Sequence, residues 1–216
     1  MSLVADRRLE EKERRRSAII DAAESVCLQA GLDAMTMDEV ARAARLSRAL
    51  LYVYFKDKAD LVFALADRAL SSLHGRFTVC AQQFPTGLAQ LRAMGRAYLA
   101  FSHELPAQFE ALARFELHSP DIDNANGAEA ACVAAGDCVH AVMIAAIDTG
   151  LRDGSIRADV GPPALVSITL WGFMHGVIQL AATKANVLAH DGIEASDLFA
   201  QALDMATRSL VAPERS

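Results

Sequence analysis

The sequence lacks the features of several classes of protein. It contains only six prolines, and no run alternates apolar and polar residues as a half-buried β-strand does. We find no internal repeat and no low-complexity tract. The N-terminal residues are charged, with no apolar run behind them, so we expect no secretory signal peptide. These absences indicate an all-α protein, for which we expect a cytoplasmic location.

Cysteine is also sparse. The four cysteines lie on apolar helical segments, and their spacing is not that of a disulfide framework. Cys132, Cys138 and His140 would not share one face of a helix, which argues against a metal site there. No paired nucleophile and base and no phosphate-binding glycine loop is present. The sequence therefore predicts free buried thiols, no metal, no cofactor and no enzymatic activity.

Charge is distributed unevenly along the chain. The net charge is −6, but residues 1–58 hold 11 Lys and Arg against 10 Asp and Glu. Within residues 42–58, the only acidic residue is Asp57, and the basic residues are Arg42, Arg45, Arg48, Lys56 and Lys58. Binding to phosphates needs a local basic face rather than a basic protein. The acidic total therefore does not exclude a nucleic-acid partner.

Prolines and glycines divide the chain into nine predicted helices. The first runs from about residue 10 to 30, two short ones follow, and a fourth starts after Asp57. The last two cover about 162–184 and 193–211, with a polar loop between them, and residues 119–127 are the most loop-like segment. We expect two domains: a three-helix N-terminal domain over residues 1–56 and a helical C-terminal domain over residues 57–216.

The segment 162–183 contains no Asp, Glu, Lys or Arg and is long enough to cross a bilayer. It also carries Gly172 and Gly176 in a G-x-x-x-G spacing, which lets helices approach closely. The alternative is a soluble helix buried against its own core and a partner subunit. The polar residues inside the run, such as Ser167 and His175, favour the soluble interpretation.

Residues 36–58 have the pattern of a helix-turn-helix unit. Thr36 and Glu39 form a T-x-x-E capping box, and Ser47 is the next good N-cap, opening a helix over residues 48–55. Two short helices joined by a tight turn make the unit whose second helix enters the major groove of DNA. In that geometry Arg48 is the candidate for a guanine edge or, failing that, for a phosphate. Ala49 permits close approach, and Leu50 is the candidate for a thymine methyl. The candidates for phosphate contacts are Thr36, Arg45, Tyr52, Tyr54 and Lys58.

These residues resemble the N-terminal domain of TetR-family transcriptional regulators. The matching features are Ala22-Ala23, Gly31, the capping box, A-x-x-A at 41–44, Ser47-Arg48, L-Y-x-Y-F at 51–55 and Asp57-Lys58. One position departs from the family pattern, because Arg45 stands where the inter-helix turn usually has glycine. If that turn needs a positive φ, Arg45 is strained by about 1 kcal/mol. The alternative is that Arg45 adds a phosphate contact.

The resemblance implies a homodimer whose last two helices form a four-helix bundle, with a ligand cavity in each subunit. It also implies a ligand-responsive repressor that a small, largely apolar inducer releases from a palindromic operator in double-stranded DNA. The candidates for the cavity lining are Met94, Tyr98, Phe101, Phe109, Phe115, Met143, Trp171, Met174 and His175. For each of them, ordinary core packing is the competing interpretation. Glu104, Glu110 and Glu116 would suit a cationic ligand, or they form a solvated surface.

Two other classes of function remain open from the sequence. One is an enzyme that carries a domain similar to a helix-turn-helix, although no catalytic constellation supports it. The other is a membrane-tethered sensor that uses residues 162–183 as its anchor, although we expect no membrane partner.

Overall fold

The structure, a computed structural model, describes residues 3–120 and 127–211, and within these ranges the chain is helical. The helices are α1 (Leu3–Ala30), α2 (Met37–Ala43), α3 (Arg48–Tyr54), α4 (Lys58–Gln83), α5 (Gly87–Glu104), α6 (Pro106–Glu116), α7 (Gly127–Asp153), α8 (Pro163–Thr183), α9 (Ala185–His190) and α10 (Ala195–Leu210). In these ranges the only β-type pairing is a single antiparallel bridge between Ile156 and Val211. The all-α prediction is confirmed.

Two helices differ from the prediction. A tenth helix, α9, occupies part of the predicted polar loop, and it begins directly after Lys184, which caps both α8 and α9. Helix α1 also begins earlier than expected, near the N-terminus. There Glu11 pairs with Arg14 and Arg15 at i+3 and i+4, the spacing that supports an exposed helix. The loop predicted at 119–127 falls largely outside the described residues.

The contacts of the chain divide it into two compact units. The first comprises the residues up to Ala69 together with Leu105–Val133, and the second comprises Leu70–Glu104 together with the residues from Ala134 onward. Helix α6 therefore belongs to the same unit as α1, α2 and α3. The domain boundary placed between residues 56 and 57 from the sequence stays a prediction.

The core of the first unit is built from the apolar faces of its helices. Ile19 and Ala23 of α1, Val40 of α2 and Leu51 of α3 are fully buried. Helix α6 is held to the end of α1 by Glu110, whose carboxylate accepts hydrogen bonds from the Leu32 amide at 3.0 Å and the Cys27 thiol at 3.3 Å. Glu110 is thus engaged in fixing the turn that leads to α2.

In the second unit α10 packs against both α5 and α8. Helix α8 buries Trp171, Met174 and Ile178 on one side. Its other side leaves apolar residues in solvent, namely Leu165, Ile168, Phe173 and Leu180. This second face has no cover among the residues that the structure describes.

By length and composition, α7 and α8 could each cross a membrane. The core helices of soluble proteins pass the same test, so it is weak support for a span. Only 28% of the most apolar window of α7 and 33% of that of α8 are buried inside the protein. Each helix therefore has apolar surface that the described part of the chain leaves uncovered.

The cysteines are free, as predicted, but they are not all buried. Cys27 and Cys132 lie in the interior, Cys80 is half-buried and Cys138 is exposed. Burial raises the pKa of the Cys27 and Cys132 thiols to about 12, so both are protonated and unreactive at neutral pH.

Candidate nucleic-acid interface and ligand cavity

The helix-turn-helix unit is held by the caps that the sequence predicts. The Thr36 hydroxyl accepts from the Glu39 amide at 3.3 Å, and the Glu39 carboxylate accepts from the Thr36 amide at 2.9 Å, which completes the capping box. The Ser47 hydroxyl accepts from the Leu50 amide at 3.2 Å and starts α3. Both helices therefore begin where their hydrogen-bonding side chains require.

Arg45 adopts a left-handed conformation, with φ at 57°, and no other non-glycine residue of the described chain has a positive φ. The turn is a complete Schellman motif, because the Leu46 amide donates to Ala41 O at 2.9 Å and the Arg45 amide donates to Arg42 O at 3.1 Å. Glycine is the usual residue at this position, because a Cβ makes the left-handed backbone conformation unfavourable. The backbone of Arg45 therefore has the positive φ for which the sequence predicted strain.

Helix α3 has one buried and one exposed face. Leu51 is buried, as is Phe55 just beyond the helix end. The exposed face presents Arg48, Ala49 and Tyr52, which the sequence analysis selected. It also presents Val53, which is 71% exposed and was not among the contact residues predicted from the sequence. Its position four residues after Ala49 was the available signal, since i and i+4 share a helix face.

Arg48 is held in place before any partner arrives. Its guanidinium is paired with the carboxylate of Asp38 on α2: Nη1 donates a hydrogen bond to Oδ2 at 3.3 Å, and Nε lies 3.1 Å from Oδ1. The guanidinium also lies over the Tyr52 ring, 5.7 Å from its centroid. The ion pair and the cation–π contact together restrict the orientation of the guanidinium. Asp38 was not selected from the sequence because it is ten residues away and its proximity depends on the turn.

The remaining candidates surround α3 less closely. The Lys58 ammonium donates to Asp33 O at 2.8 Å, which places it beside the turn before α2. Tyr54 is half-buried, Thr36 is exposed, and the Thr36 hydroxyl also donates to Glu39 at 2.6 Å. The structure thus gathers the eight predicted DNA-contact residues in one unit, with Arg48 and Tyr52 in direct contact.

A small cavity of about 40 Å³ lies within the second unit. Five of the predicted lining residues contribute to it: Met94, Tyr98, Met143, Trp171 and Met174. The residues that the sequence analysis missed are Phe77, Leu88, Leu91, Arg92, Gly95, Leu170, Leu203, Ala206, Thr207 and Leu210. Leu203, Thr207 and Leu210 recur at the helical spacing of one face of α10, which was the available signal.

Two of the lining residues, Tyr98 and Trp171, belong to an aromatic cluster. The Tyr98 ring stacks on Trp171 at 4.8 Å between centroids, and the Tyr98 hydroxyl is hydrogen-bonded to Nδ1 of His175 at 2.6 Å. Phe101 is fully buried beside Tyr98. Burial lowers the pKa of His175 and of the nearby His140, so both imidazoles are neutral at pH 7. The cluster around Tyr98 and Trp171 is therefore uncharged.

Four of the nine predicted lining residues do not line this cavity. Phe101 and His175 contact the lining residue Tyr98 without lining the cavity themselves, and the other two lie in the first unit. Phe109 is buried in the first unit, and Phe115 contacts Phe63 there with ring centroids 6.0 Å apart. Both lie on α6, which the sequence alone assigned to the C-terminal domain. Within the described ranges, no group of three or more His, Cys, Asp or Glu side chains is arranged to hold a metal ion.

Two family models match the chain. The model described as bacterial regulatory proteins, tetR family, matches residues 19–65. The model described as tetracyclin repressor-like, C-terminal domain, matches residues 91–206, which is more than half of the chain. No curated protein matches the chain in sequence.

Solved structures share the fold at low sequence identity. A TetR family transcription regulator from Marinobacter aquaeolei VT8 is 18% identical, with a TM-score of 0.65 over 96% of this chain and 100% of that one. SmeT, the repressor of the Stenotrophomonas maltophilia multidrug efflux pump SmeDEF, is 20% identical, with a TM-score of 0.66 over 92% and 91%. The transcriptional regulator FadR from Bacillus subtilis, solved with stearoyl-CoA, is 15% identical, with a TM-score of 0.68 over 90% and 98%.

Proposed function

Because this chain belongs to the TetR family of bacterial regulatory proteins, whose members are transcription factors rather than enzymes, we propose that it is a dimeric repressor released from a palindromic operator by a small, largely apolar inducer. The observation that carries the proposal is the exposed face of α3, where Arg48 is held against Asp38 and Tyr52 on a helix that presents little else but small apolar groups. That is the surface a recognition helix needs.

The docking that we propose places the first turn of α3 in the major groove. Arg48 binds the O6 and N7 atoms of a guanine. Its guanidinium either leaves Asp38 to do so or keeps its contact with Asp38, which then orients it. Val53 and Leu50 contact thymine methyl groups. Tyr52 and Lys58 bind phosphates, which sets the register of the protein on the duplex but reads no sequence. Arg45, at the turn, adds a further phosphate contact.

The dimer that we propose forms through α8 and α10. The uncovered apolar face of α8 is the surface that a partner subunit would bury. Gly172 and Gly176 are both exposed on α8. A Cβ at either glycine would meet no atom of its own chain within 4 Å, so the space beside them is open to a partner helix. Two recognition helices must then lie about one DNA turn apart, roughly 34–36 Å.

The inducer that we propose binds in the cavity of the second unit. Its apolar lining favours an apolar molecule, and the B. subtilis neighbour was solved with stearoyl-CoA, which carries a long hydrocarbon chain. Helix α8 contributes Trp171 and Met174 to this cavity and its opposite face to the proposed dimer. A ligand that pushes the lining residues apart would therefore displace α8, the helix on which the geometry of the proposed dimer depends.

The test is operator selection from a random DNA library followed by gel-shift titration of three variants. Tyr52→Phe and Lys58→Ala should weaken binding to all sequences alike, by about threefold to tenfold for each lost phosphate contact. Arg48→Ala should weaken binding and also relax base preference at one position of each half-site, since a bidentate base contact is worth about 1–3 kcal/mol of discrimination. Val79→Ala, at an exposed site on α4, serves as the control. If none of the three variants changes binding, the docking is wrong.

We also propose that the protein is soluble and cytoplasmic, with the apolar surfaces of α7 and α8 serving subunit contact and core rather than a bilayer. Fractionation separates this from the membrane-tethered alternative. A soluble regulator is recovered from the supernatant without detergent, whereas a chain anchored through residues 162–183 sediments with the membranes.

A further inference from the structure

Two arginines on α5 have no partner among the residues that the structure describes. Arg92 and Arg96 are both exposed, and neither guanidinium forms an ion pair or hydrogen bond with any residue that the structure describes. Other arginines of the second unit differ, because Arg76, Arg157 and Arg208 each pair with a carboxylate. The absence of a counter-ion at Arg92 and Arg96 is thus a local feature.

The spacing of these two arginines is unfavourable for an isolated helix. Residues four apart on a helix are neighbours on one face, and like charges at that spacing repel. Both side chains present several N–H donors in a planar fork that matches a carboxylate or a phosphate. A bound anion would remove the repulsion and satisfy the donors of both side chains.

Arg92 also lines the apolar cavity, and it is the only charged residue that does so among those described. The lining contains no Asp or Glu, which removes the basis for a cationic ligand inside it. Glu104, one of the carboxylates that suggested such a ligand from the sequence, is paired with Arg76 at 2.7 Å. The cavity lining is therefore largely apolar, with one positively charged side chain, that of Arg92.

We infer that the ligand of this cavity is an amphiphilic anion, a carboxylate or phosphate on a hydrocarbon body, whose head binds Arg92 and Arg96 while its body enters the cavity. The inference rests on the proposed function, since it names the chemical class of the inducer. The proposed inducer is thus not only apolar but also carries a negative charge that the two arginines bind.

The cavity must widen to take such a body. At about 40 Å³ it is far below the roughly 300–1,000 Å³ of small-ligand sites. Its lining can yield, because Met94, Met143 and Met174 are unbranched side chains that repack readily. Gly95 controls the remaining space, since a Cβ there would lie 2.7 Å from Cδ1 of Leu203. A larger residue at Gly95 would hence compete with the body of the ligand.

The inference is tested by calorimetric titration of the protein with four amphiphiles that share one tail: decanoate, decyl phosphate, decanol and decylamine. We expect one or both anions to bind about tenfold or more tightly than decanol, and decylamine not to bind. Stronger binding of decyl phosphate than of decanoate would identify a phosphorylated head, and the reverse order a free acid.

Variants locate the binding. Arg92→Gln should weaken binding of the anions about tenfold and leave decanol unchanged, and Arg96→Gln should act in the same direction. Gly95→Val should weaken every probe that binds, whatever its head. Arg152→Gln is the matched control, because Arg152 is exposed in the same unit and bonds only within its own helix.

Two results overturn the inference. One is equal binding of decanol and the anions; the other is an Arg92→Gln variant that binds the anions like the parent. Neither touches the proposed function, which is judged on the same preparation by operator selection. A protein that selects no DNA sequence would instead contradict the proposed function itself.

Discussion

At the scale of the residue, Arg45 combines strain and charge in one position. Its positive φ closes the Schellman motif that joins α2 to α3, and an L-residue in that conformation costs about 1–2 kcal/mol. Glycine would remove this energetic cost, but it would also remove the positive charge beside α3. Arg45 therefore lowers the stability of the fold but places a positive charge where the proposed function needs one. Strained backbone conformations are often found at functional sites.

Two substitutions separate the strain from the charge. Arg45→Gly should raise the free energy of unfolding by about 0.5–1 kcal/mol, because relief of strain exceeds the added entropy of the unfolded chain. Arg45→Ala keeps the positive φ and should not stabilise. Urea unfolding at one protein concentration measures both. Both variants should lose the same amount of operator affinity, since both lose the same charge. Equal stabilisation by alanine and glycine would mean that the turn is unstrained.

At the scale of the element, local signals were sufficient for the helix-turn-helix and insufficient for the cavity. The caps of α2 and α3 depend on residues three apart, so the sequence located both helices. The cavity depends on α5, α8 and α10 meeting from distant parts of the chain, and α10 was missed as a lining element. Helix α6 shows the same limit, because Glu110 contacts Leu32 across the unit and no local pattern reveals that contact.

The proposed dimer through α8 gives a prediction for one glycine. Gly172→Leu should fold at least as well as the parent, because nothing in its own chain lies within 4 Å of the new Cβ and leucine favours helix over glycine by about 0.8 kcal/mol. The larger side chain should nevertheless block close approach of the partner helix. Overpacking of that kind costs about 1–3 kcal/mol, so the dimer dissociation constant should rise about tenfold or more.

Analytical ultracentrifugation measures that constant, and circular dichroism checks the fold. Gly75→Leu on α4 is the matched control, since Gly75 is also exposed and its Cβ would also meet nothing within 4 Å. The control should remain as dimeric as the parent. A Gly172→Leu protein that dimerises with unchanged affinity would show that α8 is not at the interface.

At the scale of the whole molecule, each unit carries one of the two proposed binding sites. Helix α4 contributes its first turns to the first unit and the rest to the second, so one continuous helix takes part in both. The charges are divided as well: the residues up to Lys58 have a slight positive excess, and those after it are strongly acidic. An anion in the second unit must therefore be recognised by particular arginines, because the surrounding net charge repels it.

If the amphiphile and the operator share one conformational equilibrium, each must weaken the other by the same factor. We expect saturating decanoate to lower operator affinity by about fivefold to 150-fold, the range of typical allosteric couplings. Fluorescence anisotropy of labelled operator gives that factor, and calorimetric titration of decanoate into free and operator-saturated protein gives the reciprocal one. Decanol, which lacks the head, is the control and should produce a smaller factor in both titrations. A loss of operator affinity without a matching loss of decanoate affinity would show that the amphiphile acts by denaturing the protein rather than by shifting an equilibrium between its two states.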